Sequence, residues 1–252
     1  KVPVKPLEKH DLKPVRYLVS AIICIFMMYA GNILGTIITA LLQLLPGISA
    51  GNPILSYATD NALLPKILFM VILAPVIEEY IFRKQLIDRM HVYGEKLAVI
   101  TSALMFGLFH GNLSQLFYAF ALGLVFGYVY LKTGKLRYSI SLHMLINFIG
   151  SVAGPFFLEK IAVLGTMETL DMVALESIMP WLIGFGAYVL VLIGLAITGL
   201  VLLCINKRKV SFAPAELELP KDDRFMTVYG NVGMILLVVG CTALIVASLI
   251  PL

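Results

Sequence analysis

Charge is scarce in this chain. Of 252 residues only 13% are Asp, Glu, Lys or Arg, 60% are hydrophobic, and the mean hydropathy is +0.95. A soluble domain carries about 25% charged and about 45–50% apolar residues, so this composition excludes an ordinary soluble fold. Cysteine is scarce too. Cys24, Cys204 and Cys241 stand singly in separate apolar blocks, without a CxxC pair. A zinc knuckle and a disulfide framework are therefore excluded, and the three thiols read as small apolar fillers. There is no repeated half of the kind that marks many secondary transporters and no low-complexity tract. The HExxH spacing of the zincins is missing. No short apolar stretch with a small-residue cleavage site precedes the first apolar block, so no removable signal peptide is expected. The sequence opens at Lys1 without a Met, so the true N-terminus is expected to lie upstream.

What is present is a series of long apolar blocks, roughly 17–45, 63–87, 97–110, 116–131, 138–157, 181–205 and 228–252. Blocks of this kind are membrane spans. The sequence predicts an all-α, polytopic transmembrane helix bundle of about seven to eight spans, the eighth being a short or interfacial helix within 159–179. Residues 1–16 form a basic N-terminal segment, and 17–252 form one transmembrane domain with a catalytic core at about 63–150. With the N-terminus cytoplasmic, all of the 19 Lys and Arg residues except Lys66 and Lys160 fall on the cytoplasmic side, as the positive-inside rule requires. The Lys207-Arg208-Lys209 run reads as a topogenic anchor beside anionic lipid, not a nucleic-acid site. Gly123 and Gly127 form a small-xxx-small pair, read first as intramolecular packing and second as a homodimer contact.

Polar residues inside the blocks carry the functional signal, because a charge at membrane depth costs roughly 2.5–3.5 kcal/mol on insertion scales. "LAPVIEEYIFRKQ" places Glu78, Glu79 and Arg83 in the second block. Glu79 and Arg83 are four apart and can pair on one helical face, whereas Glu78 is turned about 100° away. Pro75 withholds an N–H from the carbonyl of Val71, so a kink is expected just before Glu78. "FGLFHGN" puts His110 at the end of the third block, and "SLHMLINF" puts His143 and Asn147 on one face of the fifth. At about 1.5 Å rise per residue, Glu78, His110, His143 and Asn147 reach one layer between the cytoplasmic face and the midplane. His10 and His91 lie in basic aqueous segments and read as solvated.

These residues resemble a known family. "EEYIFR", "FGLFH" and "HMLIN" fit EExxxR, FxxxH and HxxxN, in the order found in the CAAX-protease and bacteriocin-processing family of intramembrane endopeptidases, to which the eukaryotic Ras-converting endopeptidase belongs. The resemblance covers 63–150. Peptide hydrolysis needs an activated water and donors for an oxyanion. Glu78 with His110 can hold and deprotonate the water, and His143 with Asn147 can face the oxyanion. The resemblance implies the same division, with Glu79 and Arg83 in support. A catalytic zinc on Glu78, His110 and His143 is the alternative; no other cofactor is expected. Expected partners are the bilayer and a membrane-anchored protein or peptide substrate, with the chain a monomer or homodimer in a bacterial cell membrane. Two rival readings use the same residues: a non-catalytic scaffold or immunity protein of this fold, and a proton-coupled transporter.

Overall fold

A computed structural model of the protein describes residues 4–49, 63–162, 172–217 and 220–250, with the backbone alone for 172–174 and 221–224. Among the described residues all regular structure is helical. We number the helices α1 (Pro14–Leu42), α2 (63–90), α3 (Glu95–Phe109), α4 (Leu113–Thr133), α5 (Leu136–Ala162), α6 (Met172–Asn206), α7 (Lys221–Tyr229) and α8 (Val232–Ala247).

Seven of these correspond to the seven apolar blocks; α7 is an additional short helix. The 159–179 segment gives no separate helix among the described residues. Its start completes α5 and its end opens α6, while 163–171 lie outside the described residues. Length separates the spans into two groups. Helices α1, α4, α5 and α6 are long and apolar enough to cross a membrane, which fits an integral membrane protein. Helices α3 and α8, with 15 and 16 residues, fall short of the about 20 residues a crossing requires.

Helix α4 is the central post, packed on α1, α3, α5 and part of α2, while α6 lies against α1. Its boundaries follow from local chemistry. Asn112 caps the start by accepting from the Gln115 N–H at 2.9 Å, satisfying one orphan donor. Gly134, at φ +60°, closes the end with its N–H on the Tyr130 carbonyl at 2.7 Å, the left-handed C-cap that glycine adopts without strain. At Gly123 helix α3 comes close: a Cβ there would lie 2.9 Å from the Cα of Ala103. The small-xxx-small pair therefore serves packing between α3 and α4. Ala21, Cys24 and Ile25 of α1 meet Leu122 and Phe126 of α4, Leu142 and Ile146 of α5, and Leu192 of α6 in the main core.

The N-terminal segment crosses the ends of the helices as an ordered belt. Lys5 N–H donates to the Asp88 carbonyl at 3.0 Å and His10 N–H to that of Thr133 at 2.8 Å. The carboxylate of Asp11 is held by Lys135, Arg137 and the Tyr138 hydroxyl. His91 corrects the sequence expectation: it is buried and its Nε2–H donates to the Lys5 carbonyl at 2.7 Å. The belt covers it.

Candidate active site

Helix α2 sets the site through its hydrogen-bond register. It is α-helical at Ala74–Glu79 but π-helical on both sides, at Lys66–Leu73 and Tyr80–Ile87. In the first π stretch the Ala74 N–H reaches the Phe69 carbonyl, five residues back. The next donor in that register would be Pro75, which has no N–H. The carbonyl it leaves open is thus Met70, one residue earlier than α-helical counting places it at Val71. Asn147 fills the gap, its Nδ2–H donating to the Met70 carbonyl at 2.8 Å. A buried backbone acceptor needs such a partner, above all in a bilayer. Where the kink is expected, α2 shows a change of register that α5 ties down.

Glu79 and Arg83 are fully buried and pair through Oε2 and Nε at 3.0 Å. Arg83 Nη1 also donates to Ser102 Oγ at 3.0 Å, and Ser102 in turn donates to the Phe82 carbonyl at 2.7 Å. The guanidinium carbon lies 4.7 Å from the ring centre of Phe106, a cation–π distance. His143 sits between the two glutamates. Its Nδ1 is 3.1 Å from Glu79 Oε1 and its Nε2 is 3.6 Å from Glu78 Oε2. The ring stacks on Phe126 at 5.2 Å and meets the edge of Phe106 at 5.4 Å. Glu78 is partly open, its side chain 19% exposed against 0% for Glu79. The adjacent carboxylates therefore occupy different surroundings, one locked and one accessible.

His110, the C-cap of α3, holds its Nδ1 2.8 Å from the Phe106 carbonyl. A carbonyl only accepts, so Nδ1 carries the proton and a neutral ring leaves Nε2 as an acceptor. Phe106 lies edge-on to His110 at 5.0 Å and so joins both histidines. Asn147 meets α2 at Met70, where one of its two N–H groups is committed to the backbone carbonyl. For the zinc alternative, Glu78 and His143 approach each other at 3.6 Å, while among the described residues no three His, Cys, Asp or Glu side chains are gathered as a preformed metal site. Ser102, Phe106 and Phe126 carry no charge and were not marked as site residues by the sequence. The signal for two of them was there: Ser102, Phe106 and His110 recur every four residues along one face of α3.

Fold and site together define a polytopic α-helical membrane protein with a carboxylate–histidine–arginine cluster buried among its helices. Residues 60–149 match the family model described as Type II CAAX prenyl endopeptidase Rce1-like, the same stretch that carries the EExxxR, FxxxH and HxxxN motifs. The chain is similar to the membrane-embedded CAAX protease MroQ of Staphylococcus aureus (strain USA300), with 32% identity over 88 residues. That similarity takes in 32% of this chain and 36% of the relative, so the chain spans about a third of the curated relative it matches. No solved structure matches.

Proposed function

We propose that the protein is an intramembrane endopeptidase that hydrolyses a peptide bond of a membrane-associated or prenylated protein or peptide. The observation that carries this reading is His143 fixed between Glu79 and Glu78. In it, Glu78 and the free Nε2 of His110 hold one water. Glu78 takes a proton from the water as its oxygen attacks the scissile carbonyl, and later returns it to the leaving amine. Donation to an oxyanion falls to His143 Nε2–H and the second N–H of Asn147. His143 can donate from Nε2 while Nδ1–H faces Glu79 only if the ring carries both protons. The charge of that state balances, with two carboxylates against one imidazolium and one guanidinium. Arg83 and Ser102 hold Glu79, and Glu79 holds His143. No serine or cysteine nucleophile enters. The family description and the name of the bacterial relative support a CAAX-type substrate. The orientation with the N-terminus in the cytoplasm is supported by the belt, which gathers Lys5, Lys135 and Arg137 on one face.

The test is hydrolysis by purified Glu78→Gln protein, which keeps size and hydrogen bonding and removes the base. The rate should fall by at least about 10²-fold. Near-normal cleavage would sink the proposal and favour a scaffold that binds its partner without cutting it.

A further inference from the structure

A second polar feature lies away from the Glu78 cluster, where the first residues of α1 meet the last turns of α4 and α6. It is a cleft of about 430 Å³ lined by Lys13, Arg16, Lys132 and Lys209, with Asp11 as its one carboxylate. The charges in it are not balanced. Asp11 is held by Lys135 and Arg137, and Lys132 is bonded to Glu95 at 2.6 Å. Lys13, Arg16 and Lys209 form no ion pair among the described residues. Three exposed cations therefore line one concavity with no counter-charge among the described residues, a setting that attracts an anion.

The backbone adds to this. Helix α1 starts at Pro14 with no side-chain cap at Lys13 and no acidic residue in its first turn. The Val15 and Arg16 N–H groups have no acceptor within the helix. The surface next to the cleft is apolar: Val15 and Leu18 on α1 are 73% and 60% exposed.

From the cleft, its three unpaired cations and the flanking apolar strip, we propose that this protein binds one phosphate group between α1, α4 and α6. The carrier is an anionic phospholipid, its headgroup phosphate on Arg16, Lys13 and Lys209 and an acyl chain along Val15 and Leu18. Arg16 supplies a planar fork suited to phosphate oxygens, and the two lysines act as point charges. The site requires nothing of the proteolytic reading.

Thermal unfolding of the full chain in non-ionic detergent tests the proposal. The probes are short-chain phosphatidylglycerol, phosphatidylcholine of matched chain length, and inorganic phosphate. Phosphatidylglycerol should raise the midpoint saturably and phosphatidylcholine should not. Half-saturation should move up at least about tenfold in Lys13→Gln/Arg16→Gln and in Lys209→Gln, as expected for lost charge-assisted bonds. Arg208→Gln, beside the cleft but not lining it, should behave as wild type. The replaced side chains are exposed, and unchanged midpoints without lipid will verify that the variants fold. Inorganic phosphate that displaces the lipid while giving a weaker response supports a phosphate site filled by lipid. An equal response to inorganic phosphate overturns the lipid as carrier and leaves a free phosphate compound in the same cleft. Equal responses to both lipids, or equal weakening by Arg208→Gln and Lys209→Gln, overturn the site itself and point to diffuse surface charge.

Discussion

Replacement of Asn147 separates a structural duty from a chemical one. In the wild-type chain its Nδ2 supports Met70, whose π-register donor would have been Pro75. Asn147→Ala leaves that carbonyl unpaired beside the bilayer. A buried acceptor deprived of its partner costs about 1–3 kcal/mol, whereas hydrogen bonds between membrane helices average nearer about 0.6 and reach about 1.7. Here Pro75 leaves one carbonyl of this turn open in either register, Met70 in the π count or Val71 in the α count, so the helix alone cannot satisfy both and we expect about 1–2 kcal/mol. Pro75→Ala restores an N–H at position 75 that can reach Met70 in the π register or Val71 in the α register. In that background Asn147→Ala should cost at least about 1 kcal/mol less, well beyond the about 0.3–0.5 kcal/mol scatter of independent sites. The assay is reversible unfolding of all four proteins in mixed micelles, with peptide hydrolysis measured on each. Activity gives the second half of the answer. Removal of one oxyanion donor lowers kcat by about 10²–10³-fold, and this loss should persist in the double variant whose stability has recovered. Additive stabilities would refute the register argument. Recovery of activity along with stability would refute the oxyanion role.

The pair Glu79–Arg83 should show the same kind of coupling. Arg83→Met strands a fully buried carboxylate and should cost about 3–5 kcal/mol, and Glu79→Gln in addition should recover much of it; a single-variant loss under about 1 kcal/mol in thermal unfolding would contradict the pairing at 3.0 Å. Activity should survive prolonged chelation against a dialysed control. Loss on chelation with recovery on stoichiometric Zn²⁺ would replace glutamate activation by a metal and keep the protease reading. The belt should resist mild acid. Hydrogen bonds from Lys135 and then Tyr138, with the charges of Lys135 and Arg137, hold Asp11 below its ordinary value of 3.8. A depressed carboxyl contributes above its unfolded pKa and stops contributing as pH falls through the folded one. Proteolytic nicking within 4–13 should therefore be unchanged from about pH 7 to about pH 5 and increase only below about pH 4; release near pH 6 would point to another group.

The positions of the seven apolar blocks were legible because hydropathy reports removal from water, whether into the bilayer or into the protein. Whether each block crosses the bilayer was less legible, since α3 and α8 end early for reasons of tertiary packing and capping, such as the turn from His110 through Gly111 to Asn112. The site was legible where ionisable residues stood out against an apolar background: Glu78, Glu79, Arg83 and the two inner histidines. It was less legible where uncharged residues do the positioning: Ser102 and Phe106 betray themselves only by the four-residue spacing they share with His110, and Phe126 looks like any buried residue of an apolar helix. His91 was misread for a related reason. Its neighbours in sequence are polar, but the belt that buries it comes from residues far away in the chain. The π register of α2 could not be read at all, since no residue type encodes it and Pro75 alone implies the ordinary α-helical count.

That register has a consequence for insertions and deletions. A π turn holds one residue more than the α turn it replaces, so α2 carries surplus length both before and after Ala74–Glu79. Loss of one residue within 66–73 or 80–87 can be absorbed by reversion of that stretch to α-helix, with the flanking faces kept in phase. Loss of one residue within 74–79 has no such reserve. It turns everything beyond it by about 100°, which is the angle between Glu78 and Glu79. The short α-helical stretch is thus indexed from both ends, and a frame error of one residue there would hand the accessible place of one glutamate to its neighbour.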